Sequence, residues 1–183
     1  MLNIPNFLTL LRIAAIPVFL ILLGDREYGK ALAVFIAAGV TDALDGAIAR
    51  LMHTKTTLGA YLDPAADKLL LLSAFITLAL MNEVPRWLTV VVISRDVVVV
   101  LGYFLLFTMT QETMEVRPTI SGKLSTFLQL LSVSLVLVGR VWPELVPHVL
   151  EQGIFYAAAL LTTTAGLQYV YRGLVWVQVR GDA

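Results

Sequence analysis

The chain has 183 residues, of which 58% are hydrophobic and 14% charged, with 13 Lys and Arg balanced by 13 Asp and Glu. Soluble domains run at about 45–50% apolar and about 25% charged, so a mean hydropathy of +0.85 points to a polytopic membrane protein. Zero net charge excludes a basic nucleic-acid binder and a charged disordered chain, and the lack of cysteine removes disulfides, zinc-thiolate sites and iron–sulfur clusters.

A membrane-spanning helix needs about 20 apolar residues. Six segments meet that window: 5–23, 31–51, 59–81, 87–109, 122–141 and 149–172. The first is retained rather than cleaved as a signal peptide. No basic residues precede it, no small-residue cleavage site follows it, and "LLGDREYGK" reads as a polar turn into the second segment. Gly or Pro falls in or beside most of the polar breaks. Alternating segments of roughly 10 residues, which a barrel would need, are absent. The expected fold is therefore all-α, a single membrane domain over 1–183 with six transmembrane helices. Six spans put both termini on one side. A cytoplasmic N-terminus gives six bases inside (Arg50, Lys55, Arg117, Lys123, Arg172, Arg180) against four outside (Arg26, Lys30, Arg86, Arg140), the direction of the positive-inside rule.

In the first span, Arg12 suits either snorkelling to the interface or contact with a lipid phosphate. The second and third spans hold four acids: Asp42, Asp45, Asp63 and Asp67. Each costs at least about 2.5–3.5 kcal/mol near the bilayer centre, so such residues mark function unless they are paired. Arg50 and Lys68 are nearby bases, but acids outnumber them and are regularly spaced. Asp42, Asp45 and Ala49 share one helix face, and Gly59, Asp63 and Asp67 form a second stripe. Eight residues separate Arg50 from Gly59, so a helical hairpin brings four carboxylates together near one membrane surface. Hard divalent ions take carboxylate oxygens, and Mg²⁺ is commonly held by carboxylates and substrate phosphates. One or two bound ions resolve the repulsion. Gly46, Ala49 and Gly59 serve close helix packing or leave space for a flat ligand group, and Arg50 can pair with a phosphate. Pro64 predicts irregularity in the third helix near its acids.

The stretch Asp42-x-x-Asp45-Gly46-x-x-Ala49-Arg50, eight residues, then Gly59-x-x-x-Asp63-x-x-x-Asp67 resembles the signature of the CDP-alcohol phosphatidyltransferases in every fixed position and spacing. Eight fixed positions, each with a background frequency of about 5–8%, make coincidence negligible. The resemblance implies attack of an alcohol on the lipid-side phosphorus of CDP-diacylglycerol, with CMP leaving. It implies two divalent ions, Mg²⁺ or Mn²⁺, on Asp42, Asp45 and Asp63, with Asp67 sharing that shell and acting as general base. It also implies a nucleotide pocket of Asp42, Gly46, Ala49, Arg50 and Gly59, and a homodimer. A nucleotide headgroup lives at the cytoplasmic face, so the polar cavity is expected to open there. With no targeting extension, a bacterial inner membrane is the expected location.

The acceptor is read from residues outside the signature. Arg95, Arg117 and Lys123 suit an acceptor or lipid phosphate, while adjacent Arg95 and Asp96 point about 100° apart on a helix and suit pairing with other charges. Lys123, Thr126 and Gln129 are expected on one face of the fifth helix. The opening "NIPNFLTLLRIAAIPVFL", "ISRDVVVVLG" and "RPTISGKLSTFLQLL" look like the phosphatidylglycerophosphate synthase and cardiolipin synthase branch. Ser94-Arg95-Asp96 is closer to eukaryotic-type cardiolipin synthases. That resemblance implies a glycerol-headgroup acceptor, either glycerol-3-phosphate or phosphatidylglycerol, ahead of inositol phosphate or serine. Two rival classes fit less well. Intramembrane prenyltransferases have more helices and widely separated Asp motifs. A cation transporter would spread its acids along a pathway near the midplane, often in repeated halves.

Overall fold

The computed structural model describes residues 4–52, 57–110 and 119–181, with side chains described for 8–42, 65–106, 108 and 119–178. Six helices follow in order: α1 (Ile4–Gly24), α2 (Tyr28–Met52), α3 (Thr57–Leu80), α4 (Arg86–Thr110), α5 (Ile120–Val141) and α6 (His148–Gly181). No strand occurs among the described residues. Five helices end close to the limits read from the apolar runs. The sixth does not: it continues nine residues beyond 172, and its 34 residues rise about 50 Å. Arg172 interrupts the apolar run, but Leu174, Val175, Trp176 and Val177 resume it, and no proline stops the helix there. Gly173 marks a contact there, since a Cβ at this position would lie 3.3 Å from Leu106 Cδ1.

The helix of α3 is continuous through Pro64, so the irregularity expected there is not an interruption. Proline removes a single N–H, and one missing bond leaves the ladder on both sides intact. Pro17 is likewise inside α1.

Two helices end in the same backbone device. At the end of α1, the Arg26 N–H donates to Leu23 O and the Glu27 N–H to Leu22 O, both at 2.9 Å. At the end of α3, the Asn82 N–H donates to Ala79 O at 3.1 Å and the Glu83 N–H to Leu78 O at 2.8 Å. This pairing satisfies the last carbonyls when the residue after the cap is left-handed. Arg26 and Asn82 hold φ of 59° and 61°. Asparagine tolerates that region, whereas arginine is strained in it.

The chain divides into two compact units, Met1–Val84 with Val133–Pro147, and Pro85–Ser132 with His148–Ala183. In the first, α1 packs against both α2 and α3. Its core is built from Phe19 and Leu23 of α1, Ala31, Phe35 and Ala38 of α2, and Ala74, Phe75 and Leu78 of α3. Small alanines on α2 and α3 let α1 approach closely, and the Phe19 and Phe35 rings meet at 5.6 Å. Beyond the polar end of α2, the Tyr28 hydroxyl donates to Glu83 Oε1 at 2.7 Å, and the Arg140 guanidinium pairs with Glu83 Oε2. One carboxylate thus ties the end of α5 and the start of α2 to the turn after α3. Burial and the Glu83 carboxylate push the Tyr28 phenol above its usual value of 10.

In the second unit α4 packs against α6. The seam uses Leu88, Val92 and Leu106 of α4 and Phe155, Ala158 and Ala165 of α6. Trp87 and Tyr156 stack at 5.4 Å and are exposed, which suits aromatic side chains at a membrane interface. Among the described residues, Arg86–Leu106 and Ile120–Val141 are long and apolar enough to cross a membrane, and Leu8–Gly24 is apolar but shorter.

Two stability predictions follow from the turns. Arg26→Gly is expected to raise the melting free energy in detergent by up to about 1 kcal/mol, and Asn82→Val to lower it by about 1–2 kcal/mol. A raised phenol contributes stability that is full below pH 10 and is lost as pH rises through the raised value. Tyr28→Phe should therefore remove part of the alkaline loss of stability, measured by melts across that range.

Candidate active site

Three apolar seams converge on one charged layer. On α1 the inward stripe runs Thr9, Arg12, Phe19, Leu23, all buried. On α2 it runs Ala31, Phe35, Ala38 and then reaches Asp42. On α3, read backwards, it runs Leu78, Ala74, Leu71 and then reaches Asp67. Spacings of three, four and seven keep each charged residue on the face that already packs. Arg12 lies eight residues from one end of α1, and Asp42 and Asp67 ten residues from the neighbouring ends of α2 and α3. The layer thus sits about 12–15 Å along the helices from those ends.

Arg12 Nη1 lies 2.9 Å from Asp42 Oδ1 and 2.7 Å from Asp67 Oδ1. Its side chain has no exposed surface, whereas both aspartate side chains are 44% exposed. A guanidinium cannot lose its proton in a protein, and a buried charge left without a partner costs several kcal/mol. The two carboxylates supply the compensation. Arg12 therefore neither snorkels nor reaches a lipid phosphate. The base seen bridging Asp42 and Asp67 comes from α1, thirty residues ahead of the motif, and the Arg50 side chain lies outside the described residues.

The remaining signature residues, Asp45, Gly46, Ala49, Arg50, Gly59 and Asp63, lie in the helical backbone of α2 and α3, and their side chains lie outside the described residues. Helical backbone through 42–50 and 59–67 is the condition that the three- and four-residue spacing requires. Among the described residues no three potential metal-ligating groups come together, because only two of the four motif carboxylates are in that set. The donor chemistry fits a hard divalent cation: the motif offers only carboxylate oxygens, two of them meet at one atom, and both stay open to water.

In the second unit, Arg95 of α4 reaches between α5 and α6. A Cβ on Gly166 would sit 3.4 Å from Arg95 Cγ, and one on Gly122 would sit 3.7 Å from its Nη2. Arg95 Nη1 meets Asp96 Oδ1 at 2.7 Å, so these neighbours pair with each other. Their Cα directions diverge, but both side chains are long enough to bend together. Arg95 Nε is buried and has no hydrogen-bond partner among the described residues. Thr119 caps α5 by accepting from the Gly122 N–H at 3.0 Å, and the Ser121 hydroxyl donates to Gln168 Oε1 at 2.5 Å.

Lys123, Thr126 and Gln129 do not share one environment. Lys123 is exposed, Thr126 is half-buried and Gln129 is buried. Each three-residue step falls about 60° short of a full turn, so the face rotates inward with depth. Gln129 Nε2 donates to Thr162 Oγ1 at 3.0 Å, and Gln129 Oε1 has no partner among the described residues. Arg117 lies outside the described residues.

Residues 2–165 match the CDP-alcohol phosphatidyltransferase family. The chain belongs to that family, and so is a transferase. It is 36% identical over 178 residues to a probable phosphatidylglycerophosphate synthase of Mycobacterium tuberculosis, covering 94% of this chain and 82% of the relative. It is 35% identical over 184 residues to a CDP-diacylglycerol–glycerol-3-phosphate 3-phosphatidyltransferase of Bacillus subtilis, covering 92% and 94%. It is also 32% identical over 195 residues to a CMP-forming cardiolipin synthase of Homo sapiens, covering 98% of this chain and 64% of the relative.

The half-satisfied Gln129–Thr162 pair gives a double-mutant test. Thr162→Val is expected to cost about 1–3 kcal/mol, because it leaves the buried Gln129 amide unsatisfied, while Gln129→Leu with Thr162→Val should recover most of that loss. Melting in detergent measures both.

Proposed function

We propose that this chain transfers the phosphatidyl group of CDP-diacylglycerol to a glycerol-headgroup alcohol and releases CMP. Membership of the family supports this, as do relatives named for glycerol-3-phosphate transfer and for cardiolipin synthesis. The observation that carries it is the meeting of Asp42 and Asp67, one from each motif stripe, at a single buried guanidinium. That contact is what the hairpin reading of the motif requires.

The ligands proposed for two divalent ions, Mg²⁺ or Mn²⁺, are Asp42, Asp45 and Asp63, with Asp67 sharing the site. Bound there, the ions would neutralise charge on the diphosphate and orient it for in-line displacement. Asp42, Gly46, Ala49, Arg50 and Gly59 form the proposed nucleotide pocket: the small residues leave room for the base, and the Arg50 fork suits a phosphate. Asp67 is the proposed general base, taking the acceptor hydroxyl proton as that oxygen bonds to the lipid-side phosphorus and the bond to CMP breaks. Its half-exposed carboxylate suits a group that must reach a substrate proton.

Arg95 is the proposed acceptor-phosphate residue, with Lys123 and Arg117. Its unpartnered Nε and the glycines flanking it suit a guanidinium kept available for an anion. Both acceptor forms carry a glycerol phosphate, so the same charges serve glycerol-3-phosphate and phosphatidylglycerol. The six helices are read as one membrane domain over 1–183, cytoplasmic at both termini. Its polar cavity opens to the cytoplasm, and the protein works as a homodimer in a bacterial inner membrane.

The test is an acceptor panel with purified protein, CDP-diacylglycerol and Mg²⁺ or Mn²⁺. Glycerol-3-phosphate, phosphatidylglycerol, inositol phosphate and serine are offered separately, and CMP release and lipid mass are read. Metal-dependent phosphatidylglycerophosphate or cardiolipin is expected; CMP release only with serine or inositol phosphate would refute the acceptor class. Asp67→Asn should lower turnover by at least about a hundredfold while keeping metal-dependent CDP binding, measured by calorimetry. Arg95→Ala should raise the KM for the acceptor more than that for CDP-diacylglycerol, and equal effects would remove Arg95 from the acceptor site.

A further inference from the structure

Arg12 lies outside the signature, yet it touches both stripes of it. We propose that Arg12 is a positioning residue that serves as the resident counter-cation of the carboxylate site: it holds Asp42 and Asp67 together while no divalent ion is bound, and it lowers the site's affinity for that ion until a nucleotide diphosphate arrives. This rests on the reading of Asp42 and Asp67 as metal ligands.

Three observations carry it. First, both contacts converge on one nitrogen, Nη1, at 2.9 and 2.7 Å. A guanidinium serving a single carboxylate makes two parallel bonds to it. Here one NH₂ group is instead shared between carboxylates on two different helices, an arrangement that bridges. Second, the Arg12 side chain has no exposed surface, and its charge is permanent. It therefore cannot retreat to water when the site fills, and remains a fixed positive charge behind the two carboxylates. Third, the carboxylates are 44% exposed, so an ion arrives from the side away from Arg12, against its field. Charges about 5 Å apart near a protein surface still interact strongly.

The electrostatic consequence is a coupling. With Arg12 present, part of the negative charge of the site is already neutralised, so a bare dication gains less on binding. A diphosphate adds at least two negative charges and restores the attraction. Ion and nucleotide then bind together, each poorly without the other. Neutralising Arg12 removes the penalty on the ion alone and weakens the coupling.

The test measures Mn²⁺ binding to the purified full-length protein in detergent, read from the free-Mn²⁺ paramagnetic resonance signal with and without CDP. Wild type, Arg12→Lys and Arg12→Gln are compared. Without CDP, Arg12→Gln is expected to bind Mn²⁺ about tenfold more tightly than wild type. Arg12→Lys should bind Mn²⁺ close to wild type, because it keeps the positive charge behind the two carboxylates. The gain in Mn²⁺ affinity on adding CDP should be largest in wild type and smallest in Arg12→Gln. Arg12→Gln should melt earlier than wild type in EDTA and recover most of the difference in Mn²⁺. Equal or weaker Mn²⁺ binding by Arg12→Gln overturns the proposal. If that variant cannot be purified, Arg12→Met takes its place, and equal or weaker Mn²⁺ binding by it overturns the proposal equally. Wild type that binds no Mn²⁺ even with CDP would instead defeat the metal reading on which the proposal stands.

Discussion

A guanidinium with no access to water, placed on an apolar helix seam, must be answered by negative charge within hydrogen-bond reach. Arg12 imposes that condition on the first unit, and Asp42 and Asp67 meet it. The condition fixes register. A slip of one residue in α1, α2 or α3 rotates the corresponding side chain by about 100° and leaves a buried charge uncompensated. The apolar part of the same seams, with Phe19 against Phe35 and alanines lining α2 and α3, allows close approach but would tolerate sliding. Packing brings the helices together, and the charged layer selects one alignment, which is the alignment that sets two motif carboxylates side by side.

The six helices were legible because apolar runs of membrane length, broken by polar turns, leave few alternatives. The end of α6 was not, because Arg172 interrupts the apolar run, while Leu174, Val175, Trp176 and Val177 resume it without a proline to stop the helix. The Asp motif was legible through spacing alone. Arg12 was misread because a lone arginine in a first span resembles an interfacial anchor. The signal that would have placed it is the buried stripe it belongs to: Thr9, Arg12, Phe19 and Leu23 repeat at helical intervals, so the arginine faces inward with the phenylalanine. The mutual contact of Arg95 and Asp96 was not legible, for a different reason. Backbone directions say where side chains start, and long side chains on adjacent residues can still meet.

The second unit has a different chemical character. Hydroxyls and amides are prominent among its buried polar groups: Ser125, Gln129, Ser132 and Thr162 are buried, as is the carboxylate of Glu151, and Arg95 runs between glycines of two helices. Polar groups of this kind, held between membrane helices, contribute modestly to association. On the proposed reading they also provide donors and a fixed cation for a headgroup of hydroxyls and phosphate.

The central claim is that the motif carboxylates bind the nucleotide diphosphate through divalent ions. The most direct measurement is the melting temperature of the purified protein with CDP, in Mn²⁺ and in EDTA. The account predicts that CDP raises the melting temperature in Mn²⁺ and leaves it unchanged in EDTA. Equal protection in both conditions, or none in either, would contradict it.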